Sequence, residues 1–290
     1  MDALQAVLAN PGLLIFATVL LGLMVGSFLN VVIHRLPRML ERDWRRECQS
    51  FLGQEPDAAE TAPFNLVVPR SRCPHCGHAI RAHENIPVVS YLLLGGKCSA
   101  CKAPISLRYP LVEAFTALVS ALVVWQLGPT WQAAWGLGLS WSLIALAVID
   151  LDRQLLPDAI TQPLLWLGLT LSVFNIYTDS ASSIVGAVAG YLSLWSVYHL
   201  FKLLTGKEGM GFGDFKLLAV FGAWLGWKMI LPVVLLSSLV GAIVGVGLIV
   251  LRGHNRRIPI PFGPYLAAAG WIALLWGERL LEAYLRFAGL

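Results

Sequence analysis

The chain has 290 residues, of which 57% are hydrophobic and only 13% charged. A soluble globular domain carries about 25% charged residues, so this composition excludes a soluble globule and predicts an all-α polytopic membrane protein. The net charge of +4 comes from basic residues spread along the chain, which speaks against nucleic-acid binding, where they would gather in one patch.

A bilayer crossing takes roughly 20 mostly apolar residues. Eight runs approach this: 12–34, 110–127, 131–149, 159–177, 183–203, 215–230, 233–251 and 261–285. The first carries "GLMVGSFLNVVIHRLP". Gly22 and Gly26 make a small-xxx-small pair that lets another helix pack closely. Asn30 lies deep in this run, and Pro37 is expected to end its helix. The first cation, Arg35, follows the apolar run instead of preceding it, so no signal peptide is expected and the run should stay as an anchor.

Residues 37–109 form the one sizeable soluble segment. Positions 41–63 mix acids and bases and include Pro56 and Pro63, which reads as a partly helical or loose linker. Beyond them come "CPHC" and, after 21 residues, "CSAC". Cys73, Cys76, Cys98 and Cys101 thus form a C-x2-C…C-x2-C pattern, the spacing of a tetrahedral zinc site. Two disulfides or two reduced pairs are the alternative, disfavoured if the segment is cytoplasmic. His75, His78 and His83 lie close enough to replace a thiolate, and Cys48 reads as a plain thiol.

Short connections link the remaining runs. Separating 215–230 from 233–251 relies on a turn at Trp227, Lys228 and Pro232. With the N-terminus outside, 18 of the 21 Lys and Arg residues fall on the inner side. The positive-inside rule therefore places residues 37–109 in the cytoplasm. The organisation expected is a first transmembrane helix (1–36), a cytoplasmic tetracysteine domain (37–109) and seven further membrane helices (110–290).

Ionisable residues at membrane depth are expensive and default to functional hypotheses. Glu113 opens the second run and suits a helix N-terminus. Asp150 ends the third run, with Asp152 and Asp158 in the loop behind it; Asp158 follows Pro157 and suits an N-cap. Asp214 opens the sixth run in "GMGFGDFKLL". Between Asp150 and Asp214 the chain crosses out and back, so both carboxylates return to one face. Such a pair can share one proton and activate water, as in aspartyl proteolysis. Gly209, Gly211 and Gly213 are expected to permit unusual backbone angles and close approach of a substrate strand. Asp214 as a simple N-cap remains open, as does ion coupling in a transporter.

These residues resemble bacterial type IV prepilin leader peptidases, the GxGD-type intramembrane aspartyl proteases that also N-methylate their product. The resemblance rests on "GSFLNVVIHRLP", the four cysteines, Asp150 in "IDLDRQLLPD", Asp214 in "GFGD", and "PIPFGPYLA" at the last run. It implies Asp150 and Asp214 as catalytic residues, with Gly211 and Gly213 in the active-site loop. It also implies cleavage of the leader of prepilins and type II secretion pseudopilins, then methylation of the new N-terminal residue, usually phenylalanine, by S-adenosylmethionine. The setting would be the bacterial inner membrane, N-terminus periplasmic and active site cytoplasmic. No residue is assigned to the methyl donor; Glu113 and the cytoplasmic loop are candidate regions. A peptidase lacking methylation and a zinc-anchored assembly factor are the remaining readings.

Overall fold

The computed structural model describes residues 10–54, 62–252 and 261–288. Eight helices of 14 residues or more occur among them: α1 (Pro11–Phe51), α2 (Arg108–Leu127), α3 (Trp131–Arg153), α4 (Asp158–Val173), α5 (Ser180–Thr205), α6 (Phe212–Leu225), α7 (Ile230–Arg252) and α8 (Gly263–Ala288). Each overlaps one of the eight apolar runs. Five segments are long and apolar enough to cross a membrane: α1, α2, α3, α5 and Trp227–Gly247. α4 and α6, of 16 and 14 residues, rise only about 24 and 21 Å, less than the ~30 Å hydrocarbon core. The chain forms two compact units, Met1–Pro129 and Thr130–Leu290.

In the first unit α1 starts from Asn10, whose side-chain oxygen accepts the N–H groups of Gly12 and Leu13, with Pro11 at the first helical position. The helix does not end at Pro37 as expected. It continues to Phe51, for 41 residues in all. Proline removes a single intrahelical donor. The following "RMLERDWRRECQ" is built from strong helix formers with oppositely charged residues at i,i+3 and i,i+4, including Asp43–Arg46 at 3.9 Å. Pro37 is itself buried in the helix.

α1 and α2 pack along Gly22 and Gly26. A Cβ on either would lie 2.7 Å from the Cα of Ala117 or of Glu113. The hydroxyls of Thr116 and Ser120, buried in this seam, bond back to the carbonyls of Val112 and Thr116 at 2.7 Å, so the seam holds no unpaired hydroxyl. Between the two helices lies the cysteine segment, with a 3-10 turn at Ala82–Asn85 and a short helix at Val89–Leu93.

In the second unit α6 is central. Asp214, Phe215 and the eight residues Leu217–Trp224 are buried, the pattern of a helix apolar on every side. Glycines of α5 let it come close: a Cβ on Gly186 or Gly190 would lie 2.4 or 2.7 Å from the carbonyl oxygens of Gly222 or Leu218. From α4, the Leu164 carbonyl accepts the Trp224 indole N–H at 2.8 Å. From α5, the Ser183 hydroxyl donates to the Ala223 carbonyl at 2.6 Å. α8 lays Gly270 against the Phe221 ring.

α6 stops at Leu225, five residues short of its expected end. Gly226, at φ +80°, and a 3-10 turn at Trp227–Met229 make the reversal. Only glycine adopts that backbone without strain. Pro232 falls inside the first turn of α7, where a missing N–H costs nothing.

Replacing Gly190 with valine should force α5 off α6 and cost about 1–3 kcal/mol. Thermal unfolding in detergent reads this as a lowered melting temperature, whereas Gly247→Val, where a Cβ meets no neighbour, should leave it unchanged.

Candidate functional site

The last turn of α3 carries Asp150, and the helix is closed by Gln154 in the left-handed region (φ 52°), whose N–H bonds to the Asp150 carbonyl at 2.8 Å. The Asp150 carboxylate accepts the backbone N–H of Gly263, at the head of α8, at 3.0 Å. Asp214 is the third residue of α6. Its carboxylate faces the N–H of Gly211, the N-cap residue. Both aspartates are 6% exposed, and they lie within electrostatic range of each other. Two acids separated by 63 intervening residues are thus brought to one spot.

Leu156 and Gly263 complete this spot. A Cβ on Gly213 would lie 2.7 Å from the Leu156 Cβ. A Cβ on Gly263 would lie 2.6 Å from the Asp150 Oδ2 and 3.2 Å from the Leu156 Cδ2. Gly213 is therefore required for room, whereas a Cβ on Gly211 would meet only the Asp214 Oδ2 at 3.8 Å; neither is needed for the expected unusual backbone angles. Gly211 is extended (φ −83°, ψ 149°), Gly213 is helical, and none of Gly209, Gly211 and Gly213 has positive φ.

Two neighbouring carboxylates take roles that differ from expectation. α3 runs to Arg153, so Asp152 belongs to its last turn. Asp158 sits in the first turn of α4 behind an N-cap proline, and both its oxygens accept from the Lys216 ammonium of α6 at 2.7 Å. Sequence reasoning missed this pairing and the Gly263 donor. The signal available for Gly263 was a glycine directly before a proline at a helix start, where only the glycine has an N–H to give.

In the first unit the Sγ atoms of Cys73, Cys76, Cys98 and Cys101 all lie within 4.8 Å of one another. Cys73 and Cys101 are 3.8 Å apart, and Cys76 and Cys98 4.0 Å. Four thiolates about 2.3 Å from one ion at tetrahedral angles sit about 3.8 Å apart, so the cluster fits a metal ion. A disulfide needs about 2.05 Å, and all four cysteines are free.

The two C-x2-C turns are built alike. Antiparallel bridges flank them at Arg72–Ala79 and Lys97–Pro104. Gly77 and Lys102, directly after the second cysteine of each, share a left-handed conformation at φ 71° and 59°. The backbone N–H groups of Cys76 and His75 lower the Cys73 thiol to about 7, and those of Cys101 and Ala100 lower Cys98. His78 pairs instead with Glu84 at 3.2 Å. Glu84 is held down at about 2 by the Arg81 N–H, the Ser99 hydroxyl and His78. None of the three histidines joins the sulfur cluster, and Cys48, exposed on α1, stands outside it.

Glu113 is not in a first turn. α2 begins at Arg108, and the buried Glu113 accepts the Val88 N–H at 2.8 Å and faces the Ser27 hydroxyl. Val88 has φ 60°, a costly conformation for a β-branched residue. Glu113 thus anchors the cysteine segment to the helix pair. Asn30 donates to the Tyr109 carbonyl at 3.1 Å, and Arg35 to the carbonyls of Asn65 and Pro69 at 2.9 and 2.6 Å.

Residues 20–127 match the bacterial peptidase A24 N-terminal domain, and residues 137–246 match the type IV leader peptidase family. A Pseudomonas aeruginosa protein named prepilin leader peptidase/N-methyltransferase is 58% identical over 289 residues, covering 100% of this chain and 99% of its own length. Proteins of the same name from Aeromonas hydrophila (57% identical, 95% of each chain) and Xanthomonas campestris pv. campestris (50% identical, 97% of this chain and 98% of its own) are similar throughout. No solved structure matches.

Elemental analysis of the purified protein should find about one divalent ion per chain bound by the tetracysteine cluster. Cys73→Ser with Cys98→Ser should remove it, and Cys48→Ser should leave it in place. A double variant that keeps its metal would show that the cluster is not the binding site.

Proposed function

The chain belongs to the type IV leader peptidase family, and from that premise we propose that Asp150 and Asp214 cleave the leader peptide of prepilins and pseudopilins, after which the same protein N-methylates the exposed terminus. The observation that carries the peptidase assignment is the convergence of two buried carboxylates from distant helices on one spot, with Asp150 held by the Gly263 N–H.

The chemistry follows from one proton shared between the two acids. The ionised carboxylate takes a proton from water as the water attacks the scissile carbonyl. The other donates its proton to the carbonyl oxygen. The Gly263 N–H fixes one oxygen of Asp150 and leaves the other for the water. As the tetrahedral intermediate collapses, the C–N bond breaks, the leaving amine takes the proton that came from water, and an intermediate hydroxyl returns its proton to the other carboxylate, restoring the starting state of the pair. General acid–base catalysis of this type is worth about 10²–10⁴-fold in rate.

Of residues 110–290, assigned as the peptidase domain, both aspartates and the packing around them fall in Thr130–Leu290. The apolar part of α1 acts as the first membrane helix, and the segment between α1 and α2 as the tetracysteine domain. The ion is zinc in a structural role, because four thiolates leave no open position. It would hold the two C-x2-C turns together. The positive-inside count places the tetracysteine segment and the active site on the cytoplasmic face of the inner membrane, with the N-terminus in the periplasm. S-adenosylmethionine supplies the transferable methyl group when bound; no described residue is assigned to it.

Asp150→Asn and Asp214→Asn should each lower prepilin cleavage by at least about a hundred-fold while the protein still inserts and melts normally. Immunoblots of leader removal, paired with mass spectrometry of the product N-terminus, provide the readout. Near-normal processing by either variant refutes the assignment.

Gly263→Ala, which drives a methyl group into the Asp150 carboxylate, should slow cleavage about ten-fold or more. Steady-state kinetics should show the loss in kcat with KM little changed.

A further inference from the structure

Lys216 lies just past the first turn of α6, two residues beyond Asp214. It faces α4 and bonds both oxygens of Asp158 at 2.7 Å across 58 positions of sequence. Asp158 is in the first turn of α4, which follows α3 through the short link that carries Leu156. The segment leaving Asp150 is therefore tied to the segment carrying Asp214 at two points. One is steric, Leu156 against Gly213. The other is the ion pair.

We propose that Asp158 and Lys216 are positioning residues that set the separation of Asp150 and Asp214. This rests on the assignment of those two aspartates to the cleavage step. Neither Asp158 nor Lys216 touches substrate. The Leu156 contact with Gly213 is apolar and has no preferred direction, so the ion pair is the directional tie between the starts of α4 and α6. Two carboxylates that must share a proton and flank one water tolerate little change in spacing, and a displacement of about 1 Å is enough to slow an enzyme a hundred-fold. Lys216 is also the cation nearest in sequence to Asp214. Its capture by Asp158 keeps a flexible ammonium from pairing with the catalytic acids.

The test is a double-mutant cycle on prepilin cleavage in detergent, with kcat and KM measured separately. Asp158→Asn and Lys216→Met should each lower kcat about ten-fold with KM within about two-fold. The double variant should be no worse than either single change, because both remove one interaction. The exchange Asp158→Lys with Lys216→Asp should recover most of kcat, as should Lys216→Arg alone, so a single variant that fails to fold does not remove the test. Losses that multiply in the double variant, or no recovery in both the exchange and Lys216→Arg, would overturn the proposal. The underlying assignment is checked separately: Asp150→Asn that still cleaves defeats the aspartate pair itself, whatever the ion-pair variants do.

Discussion

A helix of 14 residues is shorter than the hydrocarbon core of a bilayer and too apolar to face water, and the second unit is organised around that constraint. α6 escapes both solvents by burial in protein. Burial on every side requires neighbours that approach to backbone distance, which accounts for Gly186 and Gly190 along α5 and Gly270 on α8. Without a hydrophobic driving force between helices in lipid, such contacts supply much of the association. The indole of Trp224 and the hydroxyl of Ser183 add hydrogen bonds across the same interfaces.

Asp214 shares that burial at the head of α6, directly after the loop that carries Gly209 and Gly211. The N-terminal N–H groups suit a negative charge there. Asp150 arrives by the opposite route, in the last turn of α3, where the dipole is unfavourable to an acid and a hydrogen-bond donor is required. Gly263 supplies it from α8. The two acids therefore stand in unequal settings, one at a helix head and one at a helix tail, and unequal settings favour opposite protonation roles in such a pair.

The eight helices were legible because long apolar runs leave few alternatives, and the cysteine cluster was legible because its spacing dictates its geometry. The convergence of Asp150 and Asp214 followed from counting crossings between them. Contacts that depend on which helix faces which were not legible. Nothing in one-dimensional order ties Lys216 to Asp158 or the Gly263 N–H to Asp150. The loop glycines misled for a related reason: φ freedom is a local property, whereas the space filled by Leu156 beside Gly213 exists only after folding. Pro37 misled because a single lost hydrogen bond was weighed without the helix-forming residues that follow it.

The first unit shows how polar residues in a membrane helix can be structural. Asn30, Arg35 and Glu113 are each nine-tenths buried or more, and each hydrogen-bonds to backbone: to the Tyr109 carbonyl, to the carbonyls of Asn65 and Pro69, and to the Val88 N–H. Together they lash a loop-rich, cysteine-bearing segment to a helix pair. Irregular backbone has polar groups that lipid cannot satisfy, and a small segment with few buried apolar residues needs staples to stay ordered. The four cysteines supply one staple at its centre, and the three polar side chains supply others along its edge. That division explains why the segment needs the cysteine cluster and polar helix residues at once, since neither alone reaches both the turns at 73–104 and the chain at 65–69.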